Sequence, residues 1–111
     1  MIDFDVKKYL EGFGDVSVDY EIDPKYSIYK TTIDGQEKIF ALVLNDSKPL
    51  QITLKCDRLL AKKLREEYET VMPADNMNKN YWNKILCTGQ IGDEYMKDLI
   101  NLSYHLIETN A

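Results

Sequence analysis

The segment 73–84 concentrates amide, lysine and aromatic side chains that could bind a ligand. Its candidate contact residues are Asn78, Lys79, Trp82, Asn83 and Lys84. In nucleic-acid-binding proteins, amides read base edges, lysines pair with phosphates and aromatic rings stack on exposed bases. The same side chains also have structural uses, because asparagines satisfy backbone groups in turns and a tryptophan buries a large area in a core. The segment therefore predicts either a nucleic-acid contact surface or an internally bonded turn.

Charge is distributed unevenly along the chain. The protein has 14 basic and 19 acidic residues and a net charge of −5, which argues against coating DNA or membranes through bulk charge. Residues 1–23 hold seven acids and two bases, whereas residues 48–84 hold eight bases and five acids. The bases of the second region that could pair with phosphates are Lys55, Arg58, Lys62, Lys79 and Lys84. Either a local basic face or an ordinary solvated surface would give this pattern.

Residue types that carry catalysis or bind metals are sparse. His105 is the single histidine, and Cys56 and Cys87 lie 31 positions apart, so a zinc site with its usual four ligands is not expected. Spacing alone leaves open a Cys87–His105 nucleophile and base, with buried, unreactive thiols as the alternative. The chain has no Gly-rich phosphate loop and no nucleophile elbow. We therefore expect no enzymatic activity and no bound metal or cofactor.

Length and composition favour a single domain over residues 1–111. The 111 residues are 44% hydrophobic and 30% charged, close to globular averages. The longest apolar run, Ile39 to Leu44, is too short to cross a membrane, and acids near the start replace the basic region of a signal peptide. We therefore expect a cytoplasmic monomer that does not bind a membrane.

Hydrophobic periodicity predicts the element order α-β-β-β-β-α-β-α. The five expected strands, each showing alternation or an apolar run, are residues 16–22, 26–33, 38–44, 50–55 and 82–87. Asp34-Gly35 favours a two-residue hairpin turn between the second and third of them. The product is an α+β two-layer sandwich, with helices packed on a mainly antiparallel sheet of about five strands.

The ends of the three helices are also predicted by sequence. Asp3, Asp57 and Asp93 are expected to cap the helix N-termini, since a short carboxylate can accept the first free backbone N–H groups. Glycines at 12 and 14 should end the first helix. Pro73 should stop the second helix, whose apolar stripe runs to Val71.

Short motifs in a fixed order resemble the MmcQ/YjbR family of small bacterial proteins. They are Lys38 to Leu42, Leu54 to Asp57, Ala61, Leu64 to Tyr68, Pro73-Ala74, Met77 to Lys79, Trp82-Asn83, Gly89 and Ser103-Tyr104. The resemblance spans about residues 16–109 and implies an α+β fold similar in shape to CyaY-like and secretion-chaperone-like domains. The family is often labelled DNA-binding. Asn76 and Tyr81 depart from its pattern, since members commonly carry histidines there, so a role needing imidazole is not expected.

The leading hypothesis is a DNA-binding module. Its expected phosphate contacts are Lys55, Arg58, Lys62, Lys79 and Lys84, and its expected sugar or base contacts are Asn78, Trp82 and Asn83. A protein-interaction adaptor is the first alternative, in which a partner docks on an exposed sheet edge or on the first helix. The second is a small-ligand site lined by Asn78, Trp82 and Tyr104.

Overall fold

A computed structural model describes residues 5–109, which form an α+β sandwich. Its elements are α1 (Val6–Glu11), β1 (Val16–Asp19), β2 (Tyr26–Ile33), β3 (Gln36–Leu44), β4 (Gln51–Lys55), α2 (Arg58–Glu67), β5 (Val71–Pro73), β6 (Trp82–Leu86) and α3 (Asp93–Thr109). The strands form an antiparallel sheet in the order β1-β2-β3-β4-β6-β5. The predicted fold class is confirmed, with one strand more than expected. No helix within the described range is both long and apolar enough to cross a bilayer.

The additional strand is β5, and it corrects the predicted end of the second helix. Helix α2 ends at Glu67, and the extended Tyr68 donates its N–H to the Leu64 carbonyl. Val71 therefore belongs to a strand that pairs with β6, opposite Ile85, and not to the helix. Three residues are too few for alternation to be visible in sequence, and Pro73 is tolerated because β5 is an edge strand.

Strand β1 is shorter than predicted. The Asp19 carboxylate accepts hydrogen bonds from the N–H groups of Glu21 and Ile22 at 2.8 and 3.3 Å. This turn ends the strand at Asp19, because those amides face the side chain instead of a neighbouring strand. Tyr20 and Ile22, which were expected to be half-buried strand residues, are 55% and 66% exposed.

Of the three predicted helix N-caps, one is confirmed, one is wrong and one lies outside the described residues. Asp57 caps α2 by accepting the Leu60 N–H at 3.0 Å, as expected. The predicted cap of the first helix, Asp3, lies outside the described residues, and Asp5 caps α1 instead. Asp93 is the first residue of α3 and does not precede it. Gly12 follows α1 at its C-terminus, as expected.

The predicted hairpin and central strand are confirmed. Asp34 and Gly35 both have positive φ, at 51° and 78°, which suits the tight turn between β2 and β3. Residues 40–43 of β3 are all buried, because apolar groups cover both faces of the strand.

The two faces of the sheet are covered differently. The main core lies between the sheet and the helices, and α3 packs over β3 and β4. On the opposite face, Ile28, Leu42, Ala74 and Trp82 form a smaller cluster, against which Met77 packs. The β5–β6 connection thus folds across the second face and brings segment 74–81 to the end of β4.

Candidate nucleic-acid interface

A groove of about 450 Å³ opens where β4 ends and β6 begins. Its walls come from the β4–α2 junction, the β5–β6 connection and α3. The lining residues are Lys55, Cys56, Asp57, Asn78, Tyr81, Trp82 and Leu106. The volume lies within the range of small-ligand sites.

Backbone pairing and one buried serine fix the floor of the groove. Lys55 pairs with Trp82 across β4 and β6, and the Cys56 N–H donates to the Tyr81 carbonyl at 2.6 Å. The fully buried Ser103 of α3 accepts the Lys55 N–H at 2.8 Å and donates its hydroxyl to the Phe40 carbonyl at 2.6 Å. Ser103 therefore holds the backbone of the groove lysine against α3.

The wall formed by the β5–β6 connection is internally hydrogen-bonded. The Asn78 carbonyl accepts the N–H groups of Tyr81 and Trp82, both at 3.0 Å. The Asn78 side chain oxygen accepts the Asn80 N–H at 3.1 Å. Asn78 thus satisfies backbone groups in the turn while its exposed side chain also faces the groove. The internally bonded turn expected for this residue is confirmed, and the Asn78 amide nitrogen takes no part in these turn hydrogen bonds.

Lys55 is the partly buried cation of the groove. Its pKa is lowered from 10.5, first by burial and then by the charge of Lys38. Both causes penalise the isolated ammonium, so an anion placed beside it would stabilise it more than it would an exposed lysine. The carboxylate of Asp57 lines the same groove and opposes such an anion.

The other predicted phosphate contacts lie around the groove, in two groups. Arg58 and Lys62 are exposed on α2, and with Arg65 they occupy one stripe at spacing i, i+4, i+7. Arg65 donates to the Lys79 carbonyl at 3.2 Å, which places the Lys79 backbone beside this stripe. Lys84 pairs with Thr53, two positions along the strands from the Lys55–Trp82 pair. Lys84 and Lys55 therefore lie on the same face of the sheet.

Burial removes two predicted contacts from the accessible surface. Asn83 is 1% exposed, and its amide nitrogen donates to the Ala61 carbonyl of α2 at 3.1 Å. Trp82 is 7% exposed and packs with Ile28 and Leu42, so it lines the groove but leaves little of its ring accessible for stacking on a base. The contact roles expected for these two side chains are therefore corrected to structural roles. These side chains are buried because β6 lies inside the sheet, between β4 and β5.

Tyr81 is the groove residue that sequence reasoning missed as a contact. It is 41% exposed and carries an aromatic ring into the lining. Strand periodicity gave no signal for it, because Tyr81 lies in the turn before β6 and not in the strand. Tyr104, which was expected to line the site in the small-ligand alternative, instead stacks on Phe13, with 4.5 Å between the ring centroids, and packs against Phe40.

The cysteines are buried and unsuited to nucleophilic chemistry. Burial raises the pKa of Cys56 to about 12 and that of Cys87 to about 11, which disfavours the thiolate. His105 is exposed on α3. Within residues 5–109, no three side chains of His, Cys, Asp or Glu are grouped so that they could hold a metal ion.

Solved structures share this architecture of an antiparallel sheet with helices packed on it. The crystal structure of Deinococcus radiodurans protein DR2400, a DUF419 domain, matches 93% of this chain and 75% of its own with a TM-score of 0.86 at 21% identity. A crystal structure of a protein from Pseudomonas syringae matches 93% of this chain and 98% of its own, with a TM-score of 0.72 at 24% identity. These likenesses define a class of small α+β proteins by fold.

Sequence comparison narrows that class to one family. The YjbR family model matches residues 12–106, so the chain belongs to the YjbR family. An Escherichia coli K12 relative, "Uncharacterized protein YjbR", is 28% identical over 74 residues, which is 67% of this chain. The match covers 63% of that relative, less than two thirds of its length.

Proposed function

We propose that the protein binds nucleic acid, without catalysis, in the groove between β4, α2 and the β5–β6 connection. The observation that carries the proposal is the meeting of a partly dehydrated lysine, Lys55, with the exposed ring of Tyr81 and the amide of Asn78 in one groove. A cation can pair with a phosphate, an aromatic ring can stack on a base, and an amide can hydrogen-bond to a base edge.

The basic residues beside the groove supply a path for the phosphate backbone. The stripe of Arg58, Lys62 and Arg65 runs along α2 from the groove, with Lys79 beside it. Each phosphate neutralised by such a side chain releases condensed counterions, which makes the affinity depend on salt.

The size of the groove favours a single-stranded ligand. A cavity of about 450 Å³ accepts one unstacked base with its sugar but not the edge of a duplex. The Tyr81 ring supplies the stacking platform in place of Trp82, and such stacking tolerates any base sequence.

The proposal is tested by fluorescence anisotropy with labelled single- and double-stranded DNA at about 50 and 200 mM salt, where several phosphate contacts should change the affinity by orders of magnitude. We expect single-stranded DNA to bind more tightly and the affinity to fall steeply with salt. Trp82 lines the groove, so its fluorescence should change in parallel. Absence of binding at the lower salt concentration would refute the proposal.

Matched variants locate the site. The double exchange Lys79→Glu and Lys84→Glu should abolish binding without unfolding the domain, and Tyr81→Ala should weaken binding of single-stranded DNA. The double exchange Lys25→Glu and Lys48→Glu is the charge-matched control, because both lysines are exposed in connections at the end of the sheet remote from the groove. Equal losses in the control and the groove variants would show that only net charge matters.

A further inference from the structure

Strand β1 forms a free edge of the sheet. It pairs with β2 over Val16 to Asp19, and no strand of the described range pairs with its outer side. An outermost strand presents unpaired backbone N–H and C=O groups, which can pair with an added strand.

Two large apolar side chains stand exposed directly after β1. Tyr20 is 55% and Ile22 is 66% exposed, and the turn capped by Asp19 holds both in place. Tyr20 also borders a depression of about 310 Å³ on the sheet surface, which Val18 lines as well. A peptide paired with the edge would thus find an apolar contact and a pocket for one side chain.

The charge around this edge is negative. Three carboxylates, Asp19, Glu21 and Glu37, line the depression together with one cation, Lys30. Lys30 pairs with Asp19 at 2.9 Å, so Glu21 and Glu37 leave a net negative charge. The edge therefore repels acidic segments and attracts basic ones.

We propose that the β1 edge, with Tyr20 and Ile22, docks an extended peptide segment of a partner protein in which apolar and basic residues alternate. The peptide adds a strand to β1, its apolar side chains cover Tyr20 and Ile22, and a basic side chain enters the depression beside Glu21 and Glu37. A second copy of this chain does not fit as the occupant, because two β1 edges would bring these carboxylates together. This surface is separate from the groove, since β2 and β3 lie between β1 and β4.

The test uses the ¹⁵N-labelled protein and a synthetic peptide that alternates lysine with valine. Amide resonances of residues 16–22 should shift on titration, and the outer amides of β1 should become protected from hydrogen exchange. A peptide of the same length that alternates glutamate with valine should not bind. No shift with the lysine peptide, equal binding of both peptides, or shifts confined to other surfaces would overturn the proposal.

Matched variants separate edge pairing from bulk attraction. Glu21→Lys, and the pair Tyr20→Ala with Ile22→Ala, should each weaken peptide binding by about fivefold or more, a loss of roughly 1 kcal/mol. The controls Glu69→Lys and Leu59→Ser make similar changes at exposed sites near α2 and should bind as the wild type does. Equal weakening of peptide binding in the controls would overturn the assignment. Shifts of the β1 amides that depend on protein concentration in the absence of peptide would also overturn it, because they would identify a second copy of the chain as the occupant.

Discussion

Asn83 and Lys55 show how burial decides the role of a polar side chain. Asn83 is buried and bonded to Ala61, so its amide joins β6 to α2. Among the described groups, the side chain oxygen of Asn83 has no hydrogen-bond partner. Burying this oxygen costs folding free energy, while the amide nitrogen still serves a structural role. Lys55 is only partly buried, and its ammonium therefore keeps access to a ligand.

Replacing Asn83 should affect stability and leave binding intact. Asn83→Ala removes the hydrogen bond to the Ala61 carbonyl and leaves a small cavity, while the Arg65 Nε–H still donates to that carbonyl at 3.2 Å, so we expect the free energy of unfolding to fall by about 1 kcal/mol. Urea unfolding measures this loss, and Asn80→Ala, at an exposed position, serves as the control. A variant with unchanged stability and weaker DNA binding would restore Asn83 as a contact residue.

The buried thiol of Cys56 predicts a pH dependence of stability. Burial raises its pKa from 9.0 to about 12, so between these values the unfolded chain loses the proton that the folded protein retains. The resulting stabilisation is complete below pH 9 and is lost as the pH rises towards 12. In urea unfolding across this range, the wild type should lose stability more steeply than Cys56→Ala, in which tyrosines and lysines titrate as before. Equal slopes would contradict the buried thiol.

At the scale of elements, the β4–α2 junction serves folding and the groove together. Asp57 caps α2 through the Leu60 N–H, and Asp57 also lines the groove that contains Lys55. The helix needs an oxygen acceptor at this position, whereas an anionic ligand would bind more tightly without the negative charge of Asp57. Substitutions at Asp57 can separate the two effects.

We expect opposite changes in stability and affinity when Asp57 is altered. Asp57→Ala removes the cap and should lower the free energy of unfolding by about 1 kcal/mol, while DNA binding becomes tighter. Asp57→Asn keeps an oxygen acceptor, so it should tighten binding with little loss of stability. Urea unfolding and anisotropy titrations measure the two quantities. Weaker DNA binding by Asp57→Asn would argue against an anion in the groove.

For the whole molecule, the net charge of −5 opposes the proposed nucleic-acid ligand. The described chain measures 37 × 29 × 25 Å, so charges at the far end of the sheet lie well beyond the Debye length of about 8 Å at physiological salt. The acidic surface should therefore slow the approach of DNA at low salt without weakening contacts in the groove.

Neutralising remote carboxylates should accelerate association. We expect Glu21→Gln combined with Asp46→Asn to raise the association rate constant for single-stranded DNA at about 50 mM salt and to leave the dissociation rate unchanged. The effect should vanish at about 200 mM salt, where screening is stronger. Stopped-flow fluorescence of Trp82 measures both rates. A changed dissociation rate would place one of these carboxylates in contact with DNA.

Elements with local signals could be predicted before the fold was known. The β2–β3 hairpin followed from Asp34-Gly35, the α2 cap from Asp57, and the central strand from the apolar run that begins at Ile39. Turn geometry, capping and hydrophobic periodicity depend on neighbouring residues, so they can be read without knowledge of the fold.

Which distant residues come into contact could not be predicted in this way, because it depends on how the strands pair. Strand β5 exists because Val71 finds a partner in Ile85, and Asn83 and Trp82 are buried because β6 lies between two strands. The groove joins Lys55 to Tyr81 through pairing between segments 26 residues apart in sequence. Such contacts depend on the order of strands in the sheet, which local propensity does not encode, and so the site became visible only when the sheet had assembled.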